Sequence, residues 1–110
     1  VLYLGDVYVN GYVGFLQEGH LREWISALDK LKKLKVKTVV PGHGPISTFA
    51  GVTAYRNYLA DFIATAKAYF DKHKKNEGYR LPEKYDHLGA RFFLEGNFAR
   101  AFELWKEKKL

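Results

Sequence analysis

Apolar and polar positions along the chain change period several times, and each change marks an element. Residues 1–9 alternate or run apolar and predict a strand, with Asp6 near its middle or end. Asn10-Gly11 is a turn signal, and Gly11 to Gly19 reads as a loop rich in glycine and aromatics. Leu21, Trp24, Ile25, Leu28, Leu31 and Leu34 then fall at helical spacing, with lysines on the opposite face. Lys37 to Val40 predicts the next strand. Its β-branched run fits a pleated sheet, and Pro41, which has no N–H for a ladder, is expected to end it. A strand–helix–strand unit of this kind requires parallel strands, since a hairpin cannot join them. After Pro45 the period is helical: Tyr55, Tyr58, Leu59, Phe62, Ile63, Ala66 and Phe70 form one stripe, with an end expected by Lys75 or Asn76. A loop follows to Pro82, which suits the first turn of a helix to about Leu94. Glu95-Gly96-Asn97 is expected to break that helix, with Asn97 as the N-cap of a last one carrying Phe98, Ala101, Phe102 and Trp105.

The expected architecture is therefore α/β. Residues 1–47 make the strand–helix–strand unit, and residues 48–110 a helical segment of the same domain. At 110 residues there is room for one domain. The chain opens inside an apolar run, Val1 to Leu4, with no cap or leader before it, which predicts a piece of something longer.

Composition narrows the chemistry. Cysteine is absent, which removes thiolate metal sites and thiol nucleophiles and leaves the compartment open. No run of about 18 apolar residues is present, so no membrane partner is expected. Net charge is +6, from lysine clusters at 30–37, 72–75 and 106–109. Each falls in or after the last turn of a predicted helix, where cations complement the macrodipole. Nucleic-acid binding is disfavoured, because no aromatic-interleaved basic stripe accompanies the charge.

Candidate chemistry gathers at two places. Val39-Val40-Pro41-Gly42-His43-Gly44-Pro45 holds an imidazole on a short, stiff segment at a strand's carboxyl end, where open α/β sheets bind ligands. Leu2-Tyr3-Leu4-Gly5-Asp6 places a carboxylate on another apolar run. Together they can share a metal such as zinc, although a catalytic zinc takes about three protein ligands and only two are argued here. Plainer readings stand beside these. Leu4-Gly5-Asp6-Val7 also fits a hairpin turn with glycine first. His43 also fits a loop histidine bonded to a carbonyl. His20 suits a helix start, His73 a solvated helix end, and His87 a packing or surface position. Trp24 and Trp105 fall on apolar helix faces as core residues. Tyr12 and Phe15, aromatics in a glycine-rich loop just after Asp6, are candidates for lining a substrate pocket.

In order and spacing, Gly5-Asp6-Val7-Tyr8-Val9, then Trp24, Leu28 and Leu31, then Val39-Val40-Pro41-Gly42-His43-Gly44-Pro45 resemble the metallo-β-lactamase superfamily, in its glyoxalase-like hydrolase branch. The resemblance covers residues 1–47; the helical remainder is similar only in kind. It implies the C-terminal half of an αββα metallo-β-lactamase sandwich, with Asp6 as a metal-bridging carboxylate and His43 as a terminal ligand of the second metal. It implies two zinc ions in the complete domain, iron or manganese being compatible with the same ligands, and hydrolysis of a small-molecule substrate by metal-activated water. The family's His-x-His-x-Asp-His segment and its middle histidine are absent here. The isolated chain is thus expected to be inactive and to associate with the N-terminal half of the same domain or with a second copy of the chain. The alternative function is a non-catalytic basic interaction module that binds a protein or nucleic acid.

Overall fold

The computed structural model describes residues 1–72 and 79–110. It is mixed α/β: β1 (Leu2–Val9), α1 (Leu21–Leu31), β2 (Val39–His43), α2 (Phe49–Asp71), two single 3-10 turns (Glu83–Tyr85 and Arg91–Phe93) and α3 (Leu94–Lys106). β1 and β2 pair in parallel, with α1 as the crossover expected from the sequence. α1 packs on α2, and α2 on α3. Arg56 of α2 ties back to Asp29 of α1 at 2.9 Å.

The helical stripe on α2 is buried as its spacing requires: Tyr55, Tyr58, Leu59, Phe62, Ile63 and Ala66 all lie in the core. Thr48 caps the helix, its hydroxyl oxygen accepting from the Ala50 N–H. α2 ends at Asp71, with Lys72 at its C-cap; the expected stop at Lys75 or Asn76, and His73, fall outside the described residues. Lys30 lies in the last turn of α1 and Lys106 in that of α3, as the macrodipole favours.

Several sequence expectations are corrected. β2 does not stop at Pro41 but runs through it to His43. Val39 exchanges both backbone hydrogen bonds with Ser47 on the side away from β1. By strand alternation Pro41 turns its missing N–H to that same open side, where the ladder loses nothing. Leu34 lies beyond the end of α1 and is exposed. The helix expected from Pro82 to Leu94 is instead two 3-10 turns around an extended segment. The reason is tertiary: Gly89 donates to the Gly11 carbonyl at 2.8 Å and accepts from the Val13 N–H at 3.0 Å, forming a bridge to Tyr12 that a helix would forbid.

The break expected at Glu95-Gly96-Asn97 is the first turn of α3. Gly96 lies within the helix, and the Gln17 side chain occupies the space a Cβ there would need. Asn97 does not cap the helix. It is fully buried on the core-facing side and bonds to a distant loop, as described below.

Candidate metal and substrate site

The two candidate ligands meet. His43 Nε2 lies 3.4 Å from Asp6 Oδ1, with both side chains largely exposed. The hairpin alternative for Leu4 to Val7 is thereby replaced: Gly5, at φ +55°, and Asp6 stay within β1 and form an irregularity in its pairing. Register shifts fall on both sides of Gly5, which pairs with Pro41, while Val9 pairs with His43. This extra length in β1 swings Asp6 outward.

Gly42 makes the approach possible. A Cβ there would sit 2.1 Å from Asp6 Oδ1 and 2.6 Å from the Gly5 carbonyl carbon. Glycine at 42 is therefore needed for close contact between the strands. An exposed carboxylate–imidazole contact of this kind contributes little to stability.

Around them opens a cleft of about 480 Å³. Asp6 and His43 line one part of it, and Val9, Tyr12, Phe15, Trp24, Ala90 and Phe93 supply the rest of its side chains. Tyr12 and Phe15, the aromatics singled out in the sequence, are both among its lining residues. The Tyr12 ring meets the His43 ring edge-on at 6.5 Å, and Phe15 meets Phe93 edge-on at 5.3 Å. Trp24 does more than pack: its indole N–H donates to the Val7 carbonyl at 2.7 Å, fixing the ring against the strand that carries Asp6. Trp105 is a packing residue, against Phe70 and Phe102.

Sequence reasoning missed three contributors. Phe93 and Ala90 fall in the stretch read as a helix from Pro82 to about Leu94, yet the second 3-10 turn brings both to the cleft. Ala90 is held left-handed at φ 56°, a conformation costly for a residue with a Cβ. Asn97 is the third. Its Oδ1 accepts from the Leu16 N–H at 2.9 Å, and its Nδ2 donates to the Gly14 carbonyl at 2.9 Å. It clamps the loop that carries Phe15 onto α3. A polar residue on an otherwise apolar helical face was the available signal.

The other described histidines lie elsewhere. His20 is the residue before α1, with no side-chain cap bond. His87 lines a second cavity of about 250 Å³ with Tyr12, Tyr55 and Tyr58. The hydroxyls of Tyr55 and Tyr58 are buried without a hydrogen-bond partner among the described residues, and burial pushes both phenols well above their usual range. For Tyr55 the negative charge of Asp6 adds to that rise.

Among the described residues no group of three or more His, Cys, Asp or Glu converges. Asp6 and His43 offer the donor types a zinc site uses, but only two of the required ligands. Nor, among the described residues, is any helix long and apolar enough to cross a membrane. The fold and site together define a small mixed α/β chain with a carboxylate–imidazole pair at an aromatic cleft. No family model matches it, and no curated protein matches it.

Proposed function

We propose that this chain is the C-terminal part of a metal-dependent hydrolase of metallo-β-lactamase type, acting on a small-molecule substrate. One observation carries the reading: Asp6 and His43, from separate strands, come within 3.4 Å of each other although exposed. Their types, order and spacing match the late motifs on which the resemblance rests. The parallel β1–α1–β2 unit with helices following it is compatible with half of an αββα sandwich.

In this reading Asp6 and His43 hold metal, zinc before iron or manganese, and the remaining ligands come from the N-terminal half of the domain. The metal, when bound, supplies Lewis-acid activation of water toward an ester, thioester or amide carbonyl. The chain's own residues position the substrate: Trp24, Tyr12 and Phe15 wall the cleft beside the pair. The outer side of the short sheet, where Val1 and Tyr3 are exposed, is the surface on which the missing half packs. Two ligands do not make a catalytic zinc site, so the chain alone is inactive.

Paramagnetic Co²⁺, titrated into ¹⁵N-labelled chain, tests the assignment. Selective broadening around residues 6 and 43, abolished by Asp6→Asn or His43→Ala, supports it. Broadening centred on His20 or His87, or tight binding that survives both substitutions, refutes it.

A further inference from the structure

The cleft beside Asp6 and His43 has a charge pattern that the chain's composition does not lead one to expect. The protein carries net charge +6, yet among the described residues no lysine or arginine lines this cleft. Arg22, two residues from Trp24, is not among the lining residues, and two further arginines near the walls are engaged elsewhere. Arg91, between Ala90 and Phe93, donates to the Tyr85 carbonyl at 2.9 Å. Arg100 donates to the Gly19 carbonyl at 3.2 Å and pairs with Glu103 at 2.7 Å.

Beside the polar pair the walls are aromatic. Of the lining residues, Phe15 is 47% exposed and Tyr12 38% exposed. Large rings left open to water at the rim of a concave site favour an apolar ligand, because covering them releases ordered water. A charged ligand body would lose its hydration against these walls, and among the described residues no lysine or arginine lines them to compensate it. Close to Asp6 an anionic body would also be repelled.

We infer that the cleft takes an uncharged aryl or acyl group, held between Trp24 and the Phe15–Phe93 pair, so that the substrates are neutral esters, thioesters or amides rather than anionic metabolites. Its size suits a small organic molecule, since such pockets span roughly 300–1,000 Å³. As a statement about substrates the inference rests on the hydrolase reading; as a statement about ligand class it rests on the cleft alone.

The pair 1-naphthamide and 1-naphthoate, alike in ring and shape but differing in charge, tests it. In Trp105→Phe the single remaining indole is Trp24, in the cleft wall, and its quenching reports binding. The amide is expected to bind saturably and at least tenfold tighter than the carboxylate. Phe15→Ala, at a half-exposed position that does not threaten folding, is expected to weaken amide binding about tenfold. Asp6→Asn is expected to narrow the amide–carboxylate gap. Equal or tighter carboxylate binding, or amide binding indifferent to both Phe15→Ala and Phe93→Leu, overturns the inference. Co²⁺ broadening at residues 6 and 43 without aryl discrimination sinks this inference and leaves the hydrolase reading. Aryl discrimination without that broadening does the reverse.

Discussion

Replacing Asn97 with alanine tests whether one buried amide holds the cleft together. Asn97 is fully buried, as are Gly14 and Leu16, whose backbone it satisfies. Both bonds are 2.9 Å long and span 81 and 83 positions of sequence. Asn97→Ala leaves the Leu16 N–H and the Gly14 carbonyl unpaired. Each orphaned buried group costs about 1–3 kcal/mol, so the two together cost about 2–6 kcal/mol, and about 3 kcal/mol allows for partial relaxation. That is a large share of the roughly 5–15 kcal/mol by which such domains are stable. Urea denaturation is expected to show a midpoint lower by about 1–3 M, for slopes of about 1–3 kcal/mol per M. Hydrogen exchange adds a local readout: the Leu16 amide should lose protection before the amides of α2. Asn97→Asp keeps the acceptor for Leu16, loses the donor to Gly14 and buries a charge, so it should be no milder. A stability for Asn97→Ala within about 0.5 kcal/mol of the parent, the range of ordinary surface changes, would refute the clamp.

Other expectations concern the strands, the acid range and the surface. Gly42→Ala drives a Cβ into Asp6 and the Gly5 backbone, and should cost about 1–3 kcal/mol in urea while separating Asp6 from His43 and weakening Co²⁺ broadening; an unperturbed variant would show that the strands have slack there. The Asp61 carboxyl is held below its ordinary range by the hydrogen bond donated by Tyr85, and further by Lys84. A depressed folded-state value contributes stability above the ordinary range, near about 4, and loses it as pH falls through the lowered value. The stability gap between parent and Asp61→Asn should therefore hold from neutral pH to about pH 5 and close on further acidification; a gap unchanged down to about pH 2 would contradict this. If the lysine clusters were instead a nucleic-acid surface, duplex DNA would bind with a steep salt slope; titration at moderate salt is expected to show no saturable binding.

Local pattern was enough for the strand–helix–strand unit. The helical spacing of Leu21 to Leu31 and the β-branched pair Val39-Val40 are read over short windows, and each short window is consistent with its neighbours. The residue types of the site were legible for the same reason: a carboxylate and a histidine beside glycine, each on an apolar run, do not look like core. What failed was residues 82–97. Pro82 and the aromatics after it carry helix signals, but the backbone of Gly89 is claimed by Gly11 and Val13.

The sequence by itself determined which segments are strand and helix in the first half, and which chemical groups were candidates, because periodicity and turn chemistry act within a few residues. Only the tertiary structure decided that Asp6 and His43 stand 3.4 Å apart, that Ala90 and Phe93 join the cleft, and that Asn97 belongs to the loop before α1. Those outcomes follow from where buried backbone groups find partners and how closely two strands can approach, and both are settled between residues far apart in the chain.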